Sequence, residues 1–330
     1  MVETLLPRAL IAMISAAVLI LFVGLRFIAW LRANEVGQFV RPQGEIPDAH
    51  HEKQGTPTMG GLLILLATTV PFIILSSRTT EAMLVLFVAL ACGAIGFLDD
   101  WTKIVRKRSL GLSARLRMLG LLIVAGILAW AGVEVVGLET ELAIPVVDTA
   151  LEIGPVLYFL MVFLVVSGSA NAVNLTDGLD GLAAGTAAAA LVTYTAIAFV
   201  AEQRDLAILS ATMVGACVGF LWFNAFPAQV FMGDVGSYAL GGAIAALAVM
   251  TRTELLLIVI GGVFVVEALS VIIQVVVFKR TRRRVFLMTP IHHHFEMAGW
   301  SETTIIVRFW LVAGILGATG FTLFFRDFSL

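Results

Sequence analysis

A chain of 330 residues that is 60% hydrophobic and only 13% charged, with a mean hydropathy of +1.00, cannot meet water on most of its surface. Soluble domains carry about 25% charged residues, so soluble multidomain architectures are excluded. The net charge is −2 and the two cysteines, Cys92 and Cys217, fall in apolar runs, so neither a disulfide framework nor a zinc-binding pattern is expected.

A helix needs about 20 apolar residues to cross a bilayer, with about 17 as the short limit. That rule predicts ten spans, at about 10–31, 60–76, 82–98, 118–137, 155–173, 182–201, 205–223, 236–250, 255–278 and 304–325, with the eighth short. The expected fold is an all-α, polytopic integral membrane protein of about ten transmembrane helices. No water-facing segment is long enough to fold alone, so residues 1–330 are read as a single transmembrane domain. The first span is too long, and lacks the small-residue cleavage site, for a removable signal peptide. An Ala-rich patch at 183–190 reads as close helix packing between small residues.

Numbering the loops alternately sorts the cations. Fourteen of the 21 Lys and Arg residues fall on one side, with three in 32–59, six in 99–117 and five in 279–303. The positive-inside rule makes that side cytoplasmic and places both termini outside. All five histidines and six of the nine aspartates share the cytoplasmic side; only Asp148, Asp205 and Asp327 do not.

Along the chain, "HEKQGTPTMGG" (51–61) leads into the second span with Lys53 and Thr58 in reach of a diphosphate. "GAIGFLDDWTK" (93–103) ends an uncharged run on adjacent carboxylates, Asp99 and Asp100. "TKIVRKRSLGLSARLR" (102–117) follows with six cations. There Ser113 is a helix cap, and Arg115 and Arg117 sit where a helix N-terminus and guanidinium groups both favour phosphate. "NAVNLTDGLDGLA" (171–183) carries Asn174, Asp177 and Asp180, and "FNAFPAQVFMGDVGS" (223–237) carries Asn224, Phe231 and Asp234 beside Gly233. Glu267 lies within the ninth span, "KRTRRR" (279–284) reads as a topology anchor touching anionic membrane lipid, and "TPIHHHFE" (289–296) holds His292, His293 and His294.

Asp, Asn and Gly are ordinary turn and capping residues, and any one of these acids has that reading. The segments 174–181 and 224–235, however, contain no Lys or Arg to balance their carboxylates. Uncompensated carboxylates beside a low-dielectric slab call for a cation. Mg²⁺ suits, since it takes one or two carboxylates and leaves its other positions to water and substrate phosphates. Adjacent histidines favour Zn²⁺ or Cu²⁺ over Mg²⁺, but nothing completes such a site, so phosphate and hydroxyl recognition is expected of them. A transporter is the rival class, because intramembrane acids mark ion pathways; Glu267 favours it, while the gathering of Asp and His at span ends opposes it.

Together these stretches resemble the polyprenyl-phosphate N-acetylhexosamine-1-phosphate transferases, over Lys53 to Glu296. "GFLDDW", "NAVNLTDGLDGL" and "VFMGDVGS" are shared across that superfamily. "KQGTPTMGG" and "TPIHHHFE" point to its phospho-N-acetylmuramoyl-pentapeptide transferase branch rather than the sibling branch using UDP-N-acetylglucosamine. The resemblance implies transfer of phospho-MurNAc-pentapeptide from UDP-MurNAc-pentapeptide to undecaprenyl phosphate, giving lipid I and UMP with Mg²⁺. It implies a bacterial cytoplasmic membrane location, an active site on the cytoplasmic face, a homodimer through apolar spans and no nucleic-acid partner. It further implies Asp234 on the metal and Asp99 and Asp100 facing the lipid phosphate, with Asp99 as base. Lys53, Asn174, Asp177, Asp180, Asn224 and Phe231 would line the nucleotide end with His292, His293 and His294, and Gln274 is added to them. The family would have Lys at one or both of positions 115 and 117, where this chain has Arg twice. The histidine segment is expected to hang beside the membrane face and to close over a bound nucleotide.

Overall fold

Backbone N–H and C=O groups in lipid must be satisfied within the segment itself, which makes helices of the apolar runs. The computed structural model describes residues 2–34, 37, 55–108, 110–145 and 149–328. In chain order it contains α1 (Val2–Ala33), α2 (Gly61–Leu75), α3 (Thr80–Val105), α4 (Ala114–Ala131), β1 (Glu141–Ile144), β2 (Thr149–Glu152), α5 (Gly154–Thr176), α6 (Leu182–Val200), α7 (Arg204–Asn224), α8 (Gly233–Met250), α9 (Leu257–Ile260), α10 (Gly262–Thr281), α11 (Ile291–Met297) and α12 (Glu302–Phe328). Among the described residues nine helices are long and apolar enough to cross a membrane. The all-α, multi-pass reading therefore holds.

The differences are local and have physical causes. The short member of the set is α2, with 15 residues and Pro71 inside it, rather than the eighth span, where α8 has 18. The ninth predicted span breaks at Gly261 into α9 and α10. Helix α3 runs past the predicted end of its apolar stretch to Val105, so Asp99 and Asp100 sit inside a helix and not in the loop after it. A hairpin that the sequence analysis did not anticipate pairs β1 with β2 antiparallel, Leu142 opposite Leu151. Four-residue strands are too short to register in a reading tuned to membrane-length runs.

Helices α7 and α8 form the centre, enclosed on nearly every side. Helix α8, "GDVGSYALGGAIAALAVM", can occupy that place because small residues let neighbouring backbones approach closely. A Cβ at Gly241 would lie 2.5 Å from the carbonyl oxygen of Ser169 on α5. The principal packing pairs are α3 with α8, α1 with α7, α6 with α7, and α5 with α8.

At the end of α7 remote from the aspartate-rich loops, Asp205 closes the α2–α3 turn: its two carboxylate oxygens accept from the N–H groups of Ser77 (3.1 Å) and Thr79 (2.9 Å). Asp205→Ala leaves both donors without a partner, at a cost of about 1–3 kcal/mol. Thermal unfolding in detergent should show a lower midpoint, with the transition still cooperative; an unchanged midpoint would mean that the turn is held by other contacts.

Candidate active site

Four segments converge at one end of the bundle. The C-terminal part of α3 brings Asp99, Asp100 and Lys103 onto one face, since positions three and four apart are neighbours on a helix. The N-terminus of α8 brings Asp234. Its approach to α3 depends on Gly96, where a Cβ would lie 2.1 Å from the carbonyl oxygen of Asp234. Gly233, with φ 72°, turns the chain into α8, and a Cβ there would meet the Asp100 carboxylate at 2.5 Å. The segment before α2 is laced to the same turn. Phe231 N–H donates to Pro57 O (2.8 Å), and Gly60 and Gly61 N–H donate to Phe231 O and Met232 O (both 2.9 Å).

The Lys103 ammonium sits among three carboxylates, 2.8 Å from Asp99 Oδ2, 3.2 Å from Asp100 Oδ1 and 2.9 Å from Asp234 Oδ2. Asp99 is only 1% exposed and Asp100 3%. Their other oxygens accept from the backbone: Leu112 N–H to Asp99 Oδ1 (2.8 Å) and Val235 N–H to Asp100 Oδ2 (3.3 Å). Asn174 Nδ2 donates to Asp234 Oδ1 (2.8 Å) and to Ser237 Oγ (2.9 Å), which fixes the Asp234 rotamer. One oxygen from each of Asp99, Asp100 and Asp234 lies within 4.8 Å of the others. Three hard oxygen donors converging on a point already chosen by an ammonium group fit a hard divalent cation such as Mg²⁺.

Asp177 follows α5 and accepts from Gly233 N–H. Burial pushes its carboxyl up to about 8, and the neighbouring charges of Asp234, Asp100 and Asp180 add to the rise. The site thus holds more negative charge than Lys103 offsets.

Other residues named from the sequence are distributed between this cluster and its supports. Thr58 is buried against the Gly233 turn, and the Phe231 ring is half-buried beside it. Arg117, not Arg115, turns toward the acids, its Nε 3.9 Å from Asp99 Oδ1; Arg115 is exposed. Asn224 spends both ends of its amide on the frame, accepting from Gly181 N–H (3.1 Å) and donating to Val230 O (2.9 Å). Asp180 accepts from Ala228 N–H (2.9 Å). Gln274 accepts from Val285 and Phe286 N–H (2.9 and 3.1 Å), which folds the 282–290 segment back on α10, and His294 Nδ1 accepts from Leu287 N–H (3.1 Å), which ties it to α11. His293 pairs with Glu296. Lys53 lies outside the described residues.

The histidine segment departs from expectation. It forms α11, and His292 is fully buried against α10 rather than hanging beside the bundle, its Nδ1 3.0 Å from Glu267 Oε1. The acid that favoured a transporter is thereby partnered at the site end of the molecule. Lys103, Glu267, Ser237 and Glu302 are further site residues not among those named from the sequence as ligands; the Glu302 carboxylate accepts from Asp180 N–H (2.9 Å). Lys103 had a legible signal in its i+3 and i+4 spacing from the acids. Glu302 had none.

The chain matches the family model described as glycosyl transferase family 4 over residues 82–252, and phospho-N-acetylmuramoyl-pentapeptide-transferase signature 1 over residues 53–65. It is 48% identical to the phospho-N-acetylmuramoyl-pentapeptide-transferase of Rubrobacter xylanophilus over 307 residues, 92% of each chain. It is 52% identical to that of Geobacillus thermodenitrificans (89% of this chain, 91% of the relative) and 47% identical to that of Bacillus subtilis (89% and 90%).

The crowding of carboxylates has a measurable sign. A carboxyl whose folded pKa lies above its unfolded value binds more protons when folded, so stability falls as pH rises between the two values. For Asp177 that window runs from the ordinary aspartate value of 3.8 to about 8. Asp177→Asn removes the repulsion, so its advantage in thermal midpoint over the wild type should grow across this window and level off above it. A midpoint difference that does not vary with pH would show that Asp177 is not held in the protonated form.

Proposed function

The chain belongs to the phospho-N-acetylmuramoyl-pentapeptide-transferase family, and from that premise we propose that it transfers phospho-MurNAc-pentapeptide from UDP-MurNAc-pentapeptide to undecaprenyl phosphate, forming lipid I and releasing UMP. The observation that carries this reading is the convergence of Asp99, Asp100, Asp234 and Lys103 at the end of membrane-length helices. A lipid phosphate held at a membrane surface and a water-borne nucleotide can meet there. In this reading the site lies on the cytoplasmic face of the bacterial cytoplasmic membrane, which the basic residues at 279–284 and 103–117 support. The outward faces of α1, α10 and α12 are the least buried of the spans; they meet lipid and offer apolar area for a second copy.

Asp234 would hold Mg²⁺, with Asp99 and Asp100 directed to the same point. When bound, the ion supplies charge neutralisation at the diphosphate. Lys103 and Arg117, which face these carboxylates, would turn to phosphate oxygens once the cation is bound, and Asn174 keeps Asp234 aligned. A phosphate monoester has its second pKa near about 6, so the attacking oxygen is largely ionised at neutral pH. Asp99 Oδ1 accepts from Leu112 N–H, and Oδ2 faces the point where the cation gathers, 2.8 Å from the Lys103 ammonium. Asp99 therefore serves by position and charge more than as a base, since phosphoryl transfer rests on positioning and electrostatic stabilisation. Lys53, Thr58, Asp177, Phe231, His292 and His293 belong to the nucleotide end of this reading. Asp180, Asn224, Gln274 and His294 support it through the loops they tie.

Purified protein in lipid nanodiscs should release UMP only when UDP-MurNAc-pentapeptide, undecaprenyl phosphate and Mg²⁺ are all present. Replacing the donor by UDP-N-acetylglucosamine should give no lipid-linked product; equal turnover with that donor would move the chain to the sibling reaction. Asp234→Ala should abolish release at every Mg²⁺ concentration. Retention of more than about a tenth of turnover, under about 1.4 kcal/mol of barrier, would place the metal elsewhere.

The two arginines should separate as well. Arg117→Ala should lower kcat/KM by about tenfold or more, roughly 1.4 kcal/mol, and Arg115→Ala by less than about twofold. Equal losses would show that the helix phase at 114–117 does not select between them.

A further inference from the structure

We infer that Glu267 is a positioning residue for the transfer reaction: it acts through His292, keeping a proton on His292 Nε2 and aiming it at the 177–181 turn. The inference rests on the reading above and extends it to a residue inside the membrane-length part of α10.

Glu267 and His292 are each 0% exposed. Glu267 Oε1 meets His292 Nδ1 at 3.0 Å, while Glu267 Oε2 and His292 Nε2 have no hydrogen-bond partner. An isolated charge in such a place costs several kcal/mol, so the pair must be electrically neutral as a whole. Two neutral arrangements place a hydrogen on Nε2: a carboxylate accepting from Nδ1–H of an imidazolium, and a carboxylic acid donating to Nδ1 of a neutral ring. A bare Nε2 needs either Glu267 ionised beside a neutral Nδ1–H ring, which buries a net negative charge, or an acid that accepts from Nδ1–H at Oε1 and leaves its O–H on Oε2, the stronger donor of the pair, without an acceptor.

The direction of that N–H is fixed by packing. A Cβ at Gly178 would lie 2.3 Å from His292 Nε2, so the ring points at the backbone of the turn between α5 and α6, where only glycine leaves room. The charged and titratable groups around the pair are Asp177 and Asp180 on that turn, Glu302 of α12 bound to Asp180 N–H, and, on α11, His293, its ring 4.2 Å from His292, with its partner Glu296. An N–H donor packed on this turn holds the backbone between Asp177 and Asp180, so Glu267 acts on the site through the placement of the turn.

The test uses full-length protein in nanodiscs with Glu267→Leu, Glu267→Gln, His292→Asn and the Glu267→Leu/His292→Asn double variant. Nitrogen-15 NMR of labelled histidine, with His292→Asn identifying the signal, should report a protonated Nε2 in the wild type and loss of that single state in Glu267→Leu. A bare Nε2 in the wild type overturns the inference, whatever the activity. In UMP release, Glu267→Leu should lower kcat about tenfold or more, and Glu267→Gln, whose amide N–H can donate to Nδ1, should recover a substantial part of it. The double variant should be no worse than His292→Asn alone, as residues acting through one another are not additive. Additive losses, or no rescue by Gln, would reduce Glu267 to a packing element. If the wild type releases no UMP from UDP-MurNAc-pentapeptide, the transferase reading fails while the tautomer measurement still decides the pair.

Discussion

One ammonium group among three carboxylates organises this molecule. Asp99 and Asp100 are adjacent on a helix and nearly without solvent, and Asp234 faces them from another helix. Such a group of anions is tolerable only where charge is returned to it, and Lys103 does so from within the same helix turn. The requirement propagates outward. Asp234 reaches Lys103 only if α8 lies against α3 at Gly96, and it keeps its orientation only through Asn174 at the end of α5. Packing of the bundle's centre and assembly of the site are therefore the same event.

Around that cluster, residue types usually read as ligands divide into two kinds of work. Asn224, Asp180, Gln274 and His294 use their hydrogen-bonding atoms on backbone groups of the loops, so the loops are held in shape by side chains that face inward. Thr58, Asp177, Asp234 and Arg117 lie around the space between those loops. Polar loops at a membrane surface have few apolar contacts to order them, and the supporting amides and carboxylates replace those contacts with directed bonds.

The membrane-spanning architecture was legible because apolar length is a one-dimensional property, readable without knowing what any helix touches. The acids were legible for a related reason: charge that follows an apolar run stands out. What escaped depended on orientation. Arg115 and Arg117 differ by two positions, which on a helix points them to different sides, and nothing in the local composition says which side faces Asp99. His292 belongs to a seven-residue helix, too short to show a periodic pattern, so its burial was invisible. Glu267 read as an isolated membrane acid because its partner lies 25 residues away in the chain. The hairpin escaped through its brevity.

The enclosure of α8 also bears on how the chain can be inserted. It is the least apolar of the membrane-length helices, and its glycine- and alanine-rich surface gives lipid little reason to accept it alone. Its packing partners are α3, α5, α2 and α6, and every one of them precedes it in the chain. By the time α8 leaves the ribosome, the walls of its slot have already been synthesised. Protein, rather than hydrocarbon, is thus the solvent into which this helix partitions, and the residue that completes the acid cluster arrives with it.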